Sequence, residues 1–287
     1  MAKKVNPLPA FSNMKFGCDP ELFIFNTLTN KPVPALGIIP GTKEEPYKVR
    51  SGAVQVDGTA AEFNIDPATS FEEFSGNIDT VLSEMKKFLP ENHELRAVPY
   101  VIWDKETFES LSEQEKDLGC SPDYNAWTGS VNPKPIPNVP ELRTASGHIH
   151  IGWSEGESAS DEDHVTNCRD LVKQLDYYLG AWSVKFDPDA IRRSLYGQAG
   201  ALRYKPYGVE YRVLSNFWVL DPSMRILVWN QMQRALNDMH KRFIPDYNAS
   251  LNDLLIDSIK GSFINKSLAS YCRYPIFTSI ESDFCYG

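Results

Sequence analysis

Apolar residues recur at helical spacing in four segments of the chain. The first segment follows a capping box, in which Ser70 precedes Glu73 by three positions, and its apolar stripe continues to Pro90. The third segment begins at Asp221 and Pro222, where Asp is suited to cap a helix and Pro to occupy its first turn. The spacing predicts amphipathic helices over residues 70–90, 160–182, 221–239 and 250–261.

Strand-like segments lie between these helices. They cover residues 14–26, 53–65, 97–103, 147–153 and 208–214. Because strands and helices do not alternate regularly along the chain, a series of parallel βαβ units is not expected. The order instead predicts an α+β fold, in which helices pack on one face of a mostly antiparallel sheet.

The domain organisation follows from the absence of any clear linker or internal repeat. We expect one domain over residues 1–287, with residues 1–12 as an N-terminal extension. Residues 118–146 are rich in Pro, Gly, Asn and Ser, and a connection of this length is usually functional or mobile. We therefore expect residues 118–146 to form an active-site loop, with Asp123 and Trp127 among its candidate lid residues.

Acidic residues outnumber basic ones by 38 to 29, which gives a formal net charge of −9. Affinity for a nucleic-acid backbone comes from basic residues, so a nucleic-acid partner is not expected. The sequence has no uncharged segment long enough to span a bilayer, and its five cysteines are irregularly spaced, which is typical of reduced thiols. We expect a cytoplasmic protein without a membrane partner.

Pairs of polar residues occupy alternate positions in the apolar strands. Asp19 and Glu21 form one pair, His148 and His150 a second, and Glu210 and Arg212 a third; Glu62 lies on a further strand, near Asp57. Because side chains alternate across a strand, the two members of each pair point to the same face.

This pattern predicts a metal site. Several carboxylates on one sheet face repel one another unless cations neutralise them, and oxygen ligands with one or two imidazoles suit Mg²⁺ or Mn²⁺. The two histidines also have a structural interpretation as satisfied core residues, and the sequence leaves open which of them binds a metal.

Five basic residues accompany the acidic ones: Arg192, Arg193, Arg203, Lys205 and Arg212. Cation-binding carboxylates beside arginines are typical of sites that stabilise a transferring phosphoryl group. The turn around Pro40 and Gly41 adds Lys43 as a candidate phosphate contact.

The order of these motifs resembles the phage-encoded COOH.NH2 ligase type 2 (amidoligase) family. The motifs are Gly17-Cys-Asp-Pro-Glu-Leu-Phe-Ile, Pro40-Gly-Thr-Lys, Asp57-Gly-Thr-Ala-Ala-Glu-Phe-Asn-Ile, Gly119-Cys-Ser-Pro-Asp-Tyr-Asn-Ala-Trp, Ser146-Gly-His-Ile-His-Ile-Gly-Trp, Arg193-Ser-Leu-Tyr-Gly-Gln-Ala-Gly-Ala-Leu-Arg and Tyr207-Gly-Val-Glu-Tyr-Arg. That family is similar in turn to glutamine synthetase and glutamate-cysteine ligase, in which a curved antiparallel sheet holds ATP and two or three divalent ions.

The resemblance implies a role for each matching residue. The metal ligands would be Asp19, Glu21, Glu62, Glu210 and His148 or His150, with Asp57 a less secure match. Arg212 would contact the transferred phosphate, and Arg193 and Arg203 would be further phosphate-facing arginines. Lys205 of the basic cluster and Lys43 of the turn complete the candidate contacts to ATP. Arg212, Glu210 and Arg193 would be the catalytic residues.

The expected function is an ATP-dependent carboxylate-amine ligase that uses Mg²⁺ or Mn²⁺ and an acyl-phosphate intermediate, in the host cytoplasm if the gene is a phage's. Its partners would be a small-molecule or peptide carboxylate and an amine. Two alternatives remain open at this point. One is a metal-dependent hydrolase built on His-x-His, and the other is a phage protein that retains the fold without chemistry.

Overall fold

The computed structural model describes residues 13–116, 123–154, 158–240 and 249–262. Its strands are β1 (Lys15–Cys18), β2 (Glu21–Asn26), β3 (Lys31–Val33), β4 (Tyr47–Val49), β5 (Gly52–Asp57), β6 (Ala60–Ile65), β7 (His93–Arg96), β8 (Tyr100–Ile102), β9 (Tyr124–Asn125), β10 (Leu142–Thr144), β11 (Ile149–Gly152), β12 (Ala201–Lys205) and β13 (Gly208–Tyr211). Its helices are α1 (Phe71–Lys86), α2 (Lys105–Ser110), α3 (Glu113–Lys116), α4 (Glu162–Leu175), α5 (Ala181–Ser183), α6 (Ala190–Leu195), α7 (Pro222–His240) and α8 (Ala249–Gly261).

Two antiparallel sheets carry the strands that matter for the site. One sheet has the order β1-β11-β13-β12-β9, and the other has the order β3-β2-β6-β5-β4, with β7 also paired to β2. Each pairing in both sheets is antiparallel. The predicted α+β class and the mostly antiparallel sheet are therefore confirmed.

The chain passes from one sheet to the other at Asp19 and Pro20, between β1 and β2. On one side of this point, the amide of Asp19 donates to the carbonyl of His148 (3.4 Å). On the other side, the amide of Glu21 donates to the carbonyl of Ser146 (2.9 Å), and the carbonyl of Pro20 accepts from the amide of Phe63 (3.2 Å). These bonds join the two sheets into a single curved surface, with Asp19 and Glu21 at its centre.

The long helices pack together against this surface. Helix α1 contacts β5 and β6, α4 contacts β12 and β13, and α7 contacts both α1 and α4. Their apolar stripes, with Phe74 and Ile78 on α1, Leu171 on α4 and Met232 on α7, belong to one buried cluster that also includes residues of both sheets. The predicted packing of the long helices on one face of the sheet is confirmed. The opposite face carries the polar residues together with a second buried apolar cluster, which includes Phe23, Trp103 and Leu111.

The predicted helices begin and end close to the expected positions. Ser70 caps α1 by accepting from the amide of Glu73 (3.2 Å), although the Glu73 carboxylate accepts from the amide of Thr69 (2.7 Å) and not from that of Ser70. The second helix is capped by Asp161 and is interrupted by a π-helical turn over Asp176–Gly180.

The strand boundaries differ more from the prediction. Segment 14–26 is two strands in two sheets, and segment 53–65 is a hairpin whose turn is formed by Gly58 and Thr59. Gly58 has a φ of 55°, a left-handed conformation that favours glycine. The predicted loop 118–146 contains β9 and β10, and its residues 117–122 lie outside the described residues, as do residues 1–12.

Among the helices of the described ranges, none combines the length and the apolar character that a bilayer crossing requires.

The cap of α1 gives a test of the fold. Replacing Ser70 with Ala removes the acceptor for the amide of Glu73, and we expect the free energy of unfolding in urea to fall by about 1 kcal/mol. Ser83→Ala is the matched control, because Ser83 is exposed within the same helix and donates to the carbonyl of Asp79 of that helix. Equal effects of the two substitutions would contradict the capping role of Ser70.

Candidate active site

The acidic, imidazole and basic side chains lie in rows across neighbouring strands. In the first sheet, Arg203 of β12 pairs with Glu210 of β13, and Glu210 pairs with His150 of β11. In the second sheet, Glu21 of β2 pairs with Glu62 of β6. Residues directly opposite each other in a sheet share a face, so the strand registers alone bring these side chains together.

These rows line one cavity of about 1160 Å³. The predicted site residues on its wall are Asp19, Glu21, Lys43, Glu62, His148, His150, Arg203, Lys205 and Arg212. Glu210 lies beneath them and is completely buried. The structure thus collects residues from Asp19 to Arg212 in a single cavity and places Arg193 outside it.

The tightest group of candidate metal ligands consists of Asp19, His150 and Glu210. One ligand atom from each lies within 4.8 Å of the other two. His148 is adjacent, with its Nδ1 at 3.4 Å from Asp19 Oδ1 and at 3.5 Å from Glu210 Oε1. Both histidines therefore face the acidic residues, and His150 is the one that completes the compact group.

Two atoms of this group lack hydrogen bonds. Asp19 Oδ1 and His150 Nε2 lie 2.9 Å apart and are buried, yet neither makes a hydrogen bond of acceptable geometry within the described residues. Buried polar atoms normally have a partner. A carboxylate oxygen and an imidazole nitrogen that converge without one suit a divalent cation, so these residues fit the metal that the sequence implies.

The carboxylates and imidazoles of this group shift one another's pKa values. Burial alone would raise the pKa of Asp19, but the imidazoles of His150 and His148 hold it well below its usual range. Burial would lower the pKa of His150, and the Asp19 carboxylate outweighs that effect and raises it. The pKa of His148 is lowered by burial and by Arg212. The positive charge of His150 thus balances the Asp19 carboxylate, and a bound cation would take over this charge while His150 binds it as a neutral imidazole.

A second acidic group is formed by Glu21 and Glu62. Glu21 accepts from the amide of Ser146 (2.8 Å), and Glu62 accepts from Nε2 of Gln55 (2.9 Å). Burial and the charge of Asp57 raise the pKa of Glu21 to about 8, and burial with the charge of Asp19 raises the pKa of Glu62 well above its usual value. Both carboxyls therefore retain protons at neutral pH unless a cation binds between them.

Basic side chains surround Glu210. Nη1 of Arg203 lies 3.1 and 3.0 Å from its two oxygens, Lys205 Nζ lies 2.9 Å from Oε2, and Arg212 Nη1 is paired with Oε1. Burial and Asp19 would raise the pKa of Glu210, but Arg212 and the histidines lower it to about 2. Glu210 is therefore ionised at all ordinary pH values and holds three cationic side chains at the cavity.

Arg212 is also held by the predicted loop. Its Nε donates to Oδ1 of Asp123 (3.0 Å), whose Oδ2 accepts from Asn132 (2.8 Å). Trp127 points elsewhere, since its Nε1 donates to the buried carboxylate of Asp176 (2.7 Å). Of these two candidate lid residues, only Asp123 lies beside the site.

The structure does not bring Arg193 to the cavity, where the sequence-based prediction expects it as a catalytic and phosphate-contacting residue. Its guanidinium is completely buried away from the cavity, where it donates to Ser183 Oγ (2.9 Å) and lies 3.5 Å from Asp187. Its neighbour Arg192 is likewise internal and donates to the carbonyls of Ala145 and Val213. Both belong to α6, and Asp187 and backbone carbonyls compensate their positive charges, so neither side chain lines the cavity.

Lys43 lies on the cavity wall beside Asp57. Its Nζ lies 3.7 Å from Asp57 Oδ2, and both side chains are partly exposed. Asp57 lies at the end of β5 and faces the cavity with Gln55. The structure therefore brings Lys43 into the cavity but next to a carboxylate.

Two further residues of the site bond to the candidate ligands. Gln55 alternates with Asp57 along β5, and its register opposite Glu62 makes it the hydrogen-bond partner of that carboxylate. Tyr207 appears only as the first residue of the last motif, yet its hydroxyl bonds to Nδ1 of His150. The alternation of Gln55 and Asp57 in the sequence is a signal that identifies Gln55. The contact of Tyr207 depends on a turn that no sequence pattern indicates.

The arrangement is suited to binding divalent cations next to an anionic group held by arginine and lysine, as in phosphoryl transfer.

Residues 144–248 match the family described as phage phiEco32-like COOH.NH2 ligase-type 2. This match confirms the resemblance drawn from the motifs and includes His148, His150, Glu210 and Arg212.

The remaining comparisons are with curated proteins and with solved structures. No curated protein matches the chain. Among solved structures, the bifunctional glutathione synthetase from Pasteurella multocida is similar with a TM-score of 0.48 and 11% sequence identity. The similarity covers 94% of this chain and 47% of that one, so the chain spans about half the length of that protein.

The raised pKa of Glu62 predicts an unusual pH dependence. Above the unfolded-state pKa of about 4.5, folded Glu62 keeps a proton that the unfolded chain loses, so stability of the wild type falls by up to about 1.4 kcal/mol per pH unit. Glu62→Gln is neutral at every pH and still accepts from Gln55. We therefore expect this variant to match the wild type in unfolding free energy at pH 5 and to exceed it at pH 7.

The exposed Glu94 supplies the control, because Glu94→Gln changes the same group outside the cavity. Urea unfolding at the two pH values measures both variants. A Glu62→Gln variant less stable than the wild type at pH 7 would contradict the assigned protonation of Glu62.

The raised pKa of Glu21 predicts that cation binding releases protons. At pH 7 its carboxyl is mostly protonated, and a divalent cation requires the carboxylate. We expect the affinity for Mn²⁺ to rise by up to about tenfold between pH 7 and pH 8 for each proton released. Calorimetry in two buffers of different ionisation enthalpy counts the protons released on Mn²⁺ binding. We expect Glu21→Gln to release fewer protons than the wild type. An affinity for Mn²⁺ that is independent of pH would refute the assigned protonation of Glu21.

Proposed function

We propose that this chain is an ATP-dependent carboxylate-amine ligase. The observation that carries the proposal is the convergence of Asp19, His150 and Glu210 with Arg203, Lys205 and Arg212 in one cavity. Cation ligands and phosphate-binding side chains on neighbouring strands suit a nucleotide with its metal, and the family match over residues 144–248 supplies the reaction class.

The acidic residues divide into two cation sites in this proposal. Asp19, His150 and Glu210 would hold one divalent ion, and Glu21 with Glu62 would hold another. Mg²⁺ or Mn²⁺ bound there would neutralise the phosphate oxygens and polarise the bond to the leaving group. His148 faces the first site with Nδ1 near both Asp19 and Glu210. It would position these two carboxylates, while His150 would bind the ion.

The basic residues would act on the transferred phosphoryl group. A carboxylate is a poor electrophile, so its oxygen first takes the γ-phosphoryl group of ATP, giving an acyl phosphate and ADP. An amine then attacks the carbonyl carbon, the C–O bond to phosphate breaks, and an amide forms with loss of a proton. Arg212, already fixed by Glu210 and Asp123, is placed to stabilise the charge that develops on the phosphoryl oxygens, and Arg203 and Lys205 would bind the neighbouring phosphates.

Two features favour a ligase over a metal-dependent hydrolase. A hydrolase needs ligands for a cation and an activated water, whereas this cavity also places three cationic side chains beside Glu210. The curved antiparallel surface is also the architecture that the sequence resemblance, through its likeness to glutamine synthetase, implies. The proposal includes a cytoplasmic location and small-molecule or peptide substrates.

Arg212 provides the sharpest test of the reaction. Replacing it with Ala removes one preorganised donor to the phosphoryl group, and we expect kcat to fall by about 100-fold, or ~3 kcal/mol in transition-state stabilisation. The assay is ATP-dependent phosphate release with amide formation, against a panel of amino acids, peptides and polyamines.

Two further variants control for folding and for charge. Arg96→Ala removes an arginine that pairs with Glu94 outside the cavity, and it should leave turnover unchanged. Arg212→Lys keeps the charge without the planar fork and should fall between the wild type and Arg212→Ala. Full turnover by a folded Arg212→Ala protein would rule out this role.

A further inference from the structure

Tyr207 occupies the turn between β12 and β13 and reaches across to β11. Its backbone carbonyl accepts from the amides of Trp153 (2.8 Å) and Ser154 (3.1 Å), which follow β11. The next residue, Gly208, has a backbone so close to the carbonyl of Ile151 that a Cβ atom would lie 2.0 Å from it. The turn is therefore fixed against β11 by its backbone, independently of the tyrosine side chain.

The side chain of Tyr207 contacts the imidazole of His150. Its hydroxyl is bonded to Nδ1 of His150, and the two rings lie nearly parallel, with centroids 6.1 Å apart. The other ring nitrogen, Nε2, lies 2.9 Å from Asp19 Oδ1 and makes no hydrogen bond of acceptable geometry within the described residues. His150 thus has one nitrogen bonded to Tyr207 and the other directed at the carboxylates.

We propose that Tyr207 is a positioning residue that fixes His150 as the imidazole ligand of the first cation site. This inference rests on the proposed function, because it concerns the cation site described there. An imidazole that binds a cation through Nε2 must carry its proton on Nδ1, and a hydrogen-bond acceptor at Nδ1 favours that tautomer. The Tyr207 hydroxyl can accept this bond, and it also holds the ring in the plane that directs Nε2 toward Asp19.

The same geometry distinguishes the two histidines. His148 directs Nδ1 itself toward Asp19 and Glu210, so its ring approaches the carboxylates through the nitrogen that in His150 is bonded to Tyr207. The sequence leaves both histidines as candidates. The contact with Tyr207 favours His150 as the ligand and assigns His148 to the support of the carboxylates.

The test compares two tyrosines of one hairpin. Tyr207→Phe removes the hydroxyl and keeps the ring, whereas Tyr204→Phe removes a hydroxyl from the opposite face of β12, where Tyr204 packs on Tyr124. Mn²⁺ binding without nucleotide is measured from the electron paramagnetic resonance signal of the free ion. We expect Tyr207→Phe to weaken Mn²⁺ binding by about 10- to 100-fold and Tyr204→Phe to leave it unchanged.

A second readout follows the tautomer directly. Long-range ¹H–¹⁵N spectra of ¹⁵N-histidine-labelled protein, at the lowest Mg²⁺ concentration that saturates the wild type, should show His150 protonated on Nδ1 in the wild type and in Tyr204→Phe. In Tyr207→Phe at the same Mg²⁺ concentration, we expect a mixture of metal-bound and metal-free His150 signals, because this variant binds the ion more weakly. A Tyr207→Phe protein with wild-type Mn²⁺ affinity and an unchanged tautomer would overturn the role of Tyr207.

The outcomes separate this role from the reaction. A wild type that binds Mn²⁺ and depends on Tyr207, yet forms no amide with ATP, would refute the ligase while supporting the positioning role. Equal Mn²⁺ affinities of the wild type and Tyr207→Phe would refute only the positioning role. A wild type without Mn²⁺ affinity would overturn both.

Discussion

Mutual repulsion among the buried carboxylates of Asp19, Glu21, Glu62 and Glu210 is the interaction that most constrains this molecule. Such groups are tolerated inside a protein only when they are protonated, paired with cations or bound to metal. The free protein uses the first two solutions. Protons remain on Glu21 and Glu62, and basic side chains neutralise Glu210. Divalent cations would supply the third solution. Asp19 Oδ1 and His150 Nε2, which face each other without a hydrogen bond of acceptable geometry within the described residues, lie where one would bind.

The fold concentrates these charges through a single feature, the passage of the chain between two sheets at Pro20. Asp19 ends up beside β11 and Glu21 beside β6, so two residues that are next but one in sequence serve two different groups of ligands. Antiparallel register then brings Glu62 opposite Glu21 and Glu210 opposite His150. The apolar helices cover the other face of this surface and exclude water from that side. The clustering of these candidate ligands in one cavity is a direct consequence of strand register.

The sequence predicts the elements and the ligands better than it predicts their partners. Side-chain alternation in a strand is a local property, so the strand pattern alone identifies Asp19, Glu21, His148, His150, Glu210 and Arg212. The position of Arg193 could not be predicted, because a basic residue on a short helix has no periodicity that distinguishes a side chain in a cavity from one in the interior. In the structure, Arg193 lies in the interior and contacts Asp187 and Ser183. Strands β9 and β10 escape prediction because two or three residues within a Pro-rich segment carry too little pattern. The bond between Tyr207 and His150 depends on a tight turn against β11, which is a tertiary contact.

The most direct measurement is a crystal structure of the protein with MnCl₂ and a non-hydrolysable ATP analogue, with diffraction data collected at the manganese absorption edge. The predicted result is an anomalous peak at coordination distance from Asp19, His150 and Glu210, a second peak between Glu21 and Glu62, and a terminal phosphate that faces Arg203 and Arg212. Nucleotide bound elsewhere, or a cavity that contains no anomalous peak under these conditions, would contradict the cation-filled site.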